Sequence, residues 1–153
     1  MKNKVLTFLL CIHILSSCTS DKKKESSIQI QGTWRLVSST IIDKGKSTLT
    51  DYTKGQAMIK IINDTHFAFL KHNLSPDKEG KYGFDAGGGK YTLTGGQYVE
   101  SLDYYNDKNW EGKTFNFKVE IKNDTLIQTG IEKVEKAGVD RTITERYLRI
   151  KDN

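Results

Sequence analysis

Two tracts carry the residue types that chemistry would need. In "QYVESLDYY" (97–105), strand alternation puts Tyr98, Glu100, Leu102 and Tyr104 on one face. In "RTITERYLRI" (141–150) it does the same for Ile143, Glu145, Tyr147 and Arg149. A carboxylate enclosed among such residues needs a partner or takes up a proton. Arg149 is on the right face to serve Glu145. The functional reading is a polar anchor at the base of an otherwise apolar ligand cavity, with Tyr98, Glu100, Tyr104, Glu145 and Tyr147 orienting the ligand. The structural reading is a satisfied internal ion pair, or a register one residue off that turns the glutamates outward. Catalysis needs an activated nucleophile or a positioned acid–base pair. Glu100 with Glu145 is the one candidate, because the serines and threonines sit in ordinary strand and turn contexts. The chain therefore leans away from an enzyme, and no catalytic residue is assigned.

Other tracts promise less. His66 and His72 lack neighbouring cysteines and any His-x-x-x-His spacing, so neither a metal site nor a cofactor is expected. "GGGK" at 87–90 lacks the spacing of a phosphate loop, and no helix follows it; its glycines fit a bend or bulge entering a strand. "DYYNDKNW" (103–110) clusters aromatics with amides and acids at a strand end. It suits either stacking on a sugar ring or covering the mouth of a barrel, with the mouth favoured.

The elements that must position these groups are strands. "TWRLVSSTII", "AMIKII", "THFAFLK", "KYTL", "QYVESLDYY", "TFNFKVEIK", "TLIQTGI" and "RTITERYLRI" are β-rich runs separated by turn residues such as Asn63-Asp64, Gly95-Gly96 and Asn123-Asp124. In "TFNFKVEIK" Phe115, Phe117, Val119 and Ile121 alternate with Asn116, Lys118, Glu120 and Lys122. No segment holds a helical period, although 43–56 and 132–139 leave room for a short helix. The expected fold is all-β, an antiparallel eight-stranded barrel, since closure hides the edges of a meander. A two-sheet sandwich is the alternative. Such a barrel is either filled by side chains or holds one small ligand.

"GTWRLVSS" (32–39) resembles the opening of the calycins, the lipocalins and fatty-acid-binding proteins. In those barrels a Gly-x-Trp starts the first strand and an arginine of the last strand packs over the tryptophan. The resemblance implies a lipocalin-like barrel whose closed end is plugged by Gly32, Trp34 and Arg149. "THF", "GGGKYTLTGGQYVESLDYY" and "ERYLRI" are similar to an uncharacterised family of lipocalin-like domains from bacterial secreted proteins and lipoproteins. That family implies the barrel and no activity. Tyr147-x-Arg149 reverses the Arg-x-Tyr order of the fatty-acid-binding proteins, which speaks against their way of holding a carboxylate.

The N-terminus reads as an address. Lys2 and Lys4 precede an apolar run, Val5 to Leu15, that is too short for the roughly 20 helical residues of a membrane span. Leu15-Ser16-Ser17-Cys18 resembles the bacterial lipobox, which implies lipidation of Cys18. Thr19 after the cysteine favours the outer membrane of the cell envelope. The expected organisation is a lipoprotein signal peptide at 1–17, a lipidated cysteine and tether at 18–29, and a barrel at 30–153. Loss of Lys2 and Lys4 leaves 22 basic residues against 19 acidic ones, a balance of +3 that is too mild to argue for nucleic acid. The expected partners are the membrane, through Cys18, and a small apolar or amphipathic ligand. A filled barrel serving as an envelope interaction module is the alternative.

Overall fold

Alternation and turn chemistry set the strand order. The structure is a computed structural model that describes residues 28–151; the leader, Cys18 and the tether as far as Ser27 lie outside the described residues. Ten strands follow in sequence: β1 (Gly32–Asp43), β2 (Lys46–Asp51), β3 (Gln56–Ile62), β4 (His66–Asn73), β5 (Phe84–Thr94), β6 (Gln97–Leu102), β7 (Tyr104–Tyr105), β8 (Lys113–Lys122), β9 (Thr125–Val134) and β10 (Val139–Arg149). Antiparallel pairing runs β1–β3–β4–β5–β6–β8–β9–β10 and returns from β10 to β1, where Trp34 faces Arg149 and Asp43 faces Arg141. Eight strands thus close into a lipocalin-like barrel with no long edge to protect.

Hairpin turns agree with the residues that form them. Lys44-Gly45, Gly95-Gly96 and Asn123-Asp124 all have positive φ, as two-residue hairpins joining twisted strands require. Between β3 and β4 the Asn63 side chain accepts hydrogen bonds from the backbone N–H groups of Thr65 and His66.

The two tracts with room for a helix do not form an α-helix. Residues 46–51 become β2, which pairs with the outer half of β1 (Ser38–Asp43). Residues 135–137 form a single 3-10 turn ended by left-handed Gly138. β7 is likewise a splint, pairing with Gly87 and Gly88 of β5.

Two irregularities decide which side chains point inward. In β1 the register with β10 slips between Leu36 and Ser38. Trp34 and Leu36 face the interior before the slip, and Ser39 does so after it. The second lies at Asp103, between β6 and β7, where the Asp103 N–H bonds back to the Ser101 carbonyl. Its carboxylate accepts the Lys90 N–H at 3.2 Å.

The core sits at the end where β1 starts and β10 finishes. Trp34 is fully buried and donates its indole N–H to the Ile30 carbonyl at 2.7 Å. The Arg149 guanidinium lies 4.0 Å from the centre of the indole and donates to the carbonyls of Gln31 and Gln29. Gly32, with φ of +133°, leaves the room this needs, since a Cβ there would stand 2.6 Å from Arg149 Nη1. Leu36, Tyr98, Val119 and Leu126 fill the barrel above the indole.

Candidate ligand cavity

Above that packed floor the interior turns polar. Three strands each send one polar group inward: Lys60 from β3, Glu100 from β6 and Gln128 from β9, all buried. Lys60 forms an ion pair with Glu100 and donates to Gln128 Oε1 at 2.9 Å. Its ammonium also lies 5.2 Å, 5.4 Å and 5.7 Å from the ring centres of Phe67, Tyr98 and Tyr147. Such a box of π-faces suits a desolvated cation. The Tyr98 hydroxyl is buried beside Glu100 and meets no well-placed hydrogen-bond partner among the described residues. Burial, and then the Glu100 charge, push its pKa well above the ordinary phenol value.

This belt floors a cavity of about 230 Å³. Its walls carry aromatic side chains, Phe69, Tyr105, Trp110 and Phe115 among them, and further charged residues. Lys71 pairs with Asp85 at 3.3 Å, and Arg141 with Glu132 at 2.6 Å. The Arg141 guanidinium also packs 5.9 Å from the centre of the Trp110 ring, and Tyr105 donates to Asp85. The cavity is therefore mixed in polarity. The otherwise apolar chamber that the sequence suggests is corrected here, because the lysine inside "AMIKII" enters the interior. Lys60 shares its face with Met58 and Ile62, and that phase is the signal that places it inside.

Glu145 lines the same cavity. It accepts the Tyr147 hydroxyl at 2.9 Å. It lies deep in the barrel yet keeps part of its surface on the cavity, where water reaches it. Burial raises its pKa, with Lys60 and Tyr147 acting against that and Glu132 and Glu100 adding to it; the result is about 7.

The structure thus brings Glu100, Glu145 and Tyr147 to one cavity wall, with Tyr98 packed beneath them. Tyr104 is a correction. It is 70% exposed on the outer face, because the extra residue at Asp103 reverses the alternation, and Tyr105 takes the inward place. The partner expected for Glu145 is a second correction: its polar contact is the Tyr147 hydroxyl. Arg149 is held at the closed end by Trp34 and two carbonyls, and Lys60 is the cation that meets Glu100. Lys60 and Gln128 are the residues that the sequence reading missed.

His66 is exposed and bonds Thr65, and His72 is exposed as well. No group of three or more metal-ligating side chains occurs among the described residues.

No family model matches this chain, and no curated protein matches it. Among solved structures it is similar to a lipocalin-like protein from Bacteroides uniformis, at 21% identity, covering 78% of this chain and 97% of that one with a TM-score of 0.47. The closed eight-stranded barrel stands on its own closure, the antiparallel ladder that joins β10 to β1.

Proposed function

We propose that this protein is a lipid-anchored envelope lipoprotein whose barrel binds a small amphipathic molecule in the cavity above Lys60. The observation that carries the reading is the cavity itself: enclosed by strands, walled by aromatics, and reached by Glu145 and Glu100. At about 230 Å³ it falls below the roughly 300–1,000 Å³ of sites for drug-sized ligands, so the molecule is small. Burial of its apolar part against the rings would supply affinity, and the charged wall would fix its orientation. The anchor would be the acyl chains on Cys18, in the outer membrane. Several chains, each burying methylenes at about 0.8 kcal/mol, hold a protein stably to a bilayer.

Native mass spectrometry of the full chain, gently released from its own membranes, tests the binding. A discrete small molecule retained by the native protein and lost from Ile143→Trp, which fills the cavity, is the expected result. Empty native protein that takes up nothing from an envelope extract would sink the idea. A filled barrel acting as an interaction module is the second reading, favoured by the solid packing below Lys60, and that empty outcome would select it. Cys18→Ala should abolish both incorporation of labelled fatty acid and membrane fractionation.

A further inference from the structure

The cavity wall has more carboxylates than cations. Among the described residues four acids line it, Asp85, Glu100, Glu132 and Glu145, against three cations, Lys60, Lys71 and Arg141. Each cation is already engaged, Lys60 by Glu100, Lys71 by Asp85 and Arg141 by Glu132. Glu145 makes no ion pair among the described residues; its polar contact is the phenol of Tyr147.

Building on the ligand-binding reading above, we propose that the cavity selects a small protonated amine with a compact apolar body. Its ammonium would sit on Glu145 and its body against Phe69, Tyr105, Trp110 and Phe115. An anionic ligand finds no unengaged cation and would face the spare carboxylate. A neutral apolar ligand would strip water from Glu145 and return no hydrogen bond, which costs free energy. A cation meets an opposite charge and π-faces together. At pH 7 the Glu145 carboxyl is partly protonated, so the amine displaces a proton from Glu145 to solvent as the ion pair forms.

The test is isothermal titration of the full chain with two matched series: 2-phenylethylamine, 2-phenylethanol and phenylacetate, then hexylamine, hexanol and hexanoate. The amine of at least one series should bind about tenfold tighter than its alcohol, with the acid weakest. Measured in buffers of different ionisation enthalpy, amine binding should release protons. Glu145→Gln should bring the amine down to the level of the alcohol. Glu145→Asp, which keeps the charge, should keep the preference and controls for a folding defect. Alcohols or acids binding as well as amines would overturn the amine assignment and leave the cavity as a ligand site. If no member of either series binds at millimolar concentration, both readings fall.

Discussion

Lys60 sits where a filled barrel would place a leucine. An ammonium out of water must be met on every side, and here a carboxylate, an amide oxygen and three aromatic rings meet it. Removing one partner of such a pair strands the other. Lys60→Met should therefore destabilise the protein by about 3–5 kcal/mol, and adding Glu100→Gln should recover most of that loss. Urea denaturation of the single and double variants measures both. Glu145 behaves differently. Its folded pKa of about 7 lies above the ordinary 4.5, so the folded state holds the proton more tightly than the unfolded chain does. The stability from that proton is full below pH 4.5 and is lost as pH rises through about 7. The neighbours that move with pH or hold charge are Lys60 on β3, Glu100 on β6, Glu132 on β9 and Tyr147 on β10. Glu145→Gln keeps an acceptor for Tyr147 and removes the titration. At pH 8 it should be more stable than the native protein by roughly 1–2 kcal/mol, with no such gain at pH 4. Equal denaturation midpoints at pH 8 would refute this.

At the scale of the strands, close approach explains the glycine run in β5. A Cβ on Gly89 would stand 1.9 Å from the Ser101 carbonyl oxygen and 2.7 Å from the Asp103 nitrogen. Backbone cannot yield as a flexible side chain does. Gly89→Ala should cost about 3 kcal/mol or more, while Gly45→Ala, with open space around it, should cost about 1 kcal/mol through its positive φ alone. Thermal melts of the two variants separate the causes. This element also marks how far the sequence could be read. Strand existence and hairpin turns were legible, because "TFNFKVEIK" alternates cleanly and Asn-Asp and Gly-Gly pairs announce two-residue turns. The inward face was legible through Glu100 and Glu145, where alternation runs unbroken. It failed at Tyr104, since a bulge depends on the Lys90–Asp103 contact from a neighbouring strand and leaves no mark in the local pattern. Lys60 and Gln128 escaped because their contact is a hydrogen bond between strands that joins residues 68 positions apart. Nor did β2 announce itself: "KSTLTD" is exposed almost throughout and is held as a strand by β1.

Over the whole molecule, the two ends of the barrel have separate duties. The Arg149 guanidinium, with its two carbonyl partners and the indole beneath it, seals one end far from the cavity lining. Arg149→Ala should lower stability by about 2–3 kcal/mol, from lost charge-assisted hydrogen bonds and the cation–π contact, with ligand affinity unchanged. A change in affinity equal to that of a cavity variant would contradict the division. The seal also fixes a direction. The chain runs across the closed end from Ile28 to Gln31 before entering β1, and β10 finishes beside it, where the Ile150 N–H bonds the Thr33 carbonyl. A barrel moored through the segment before Ile28 would thus stand with its mouth turned away from its mooring. On the proposed anchoring, a ligand would enter from the side opposite the mooring.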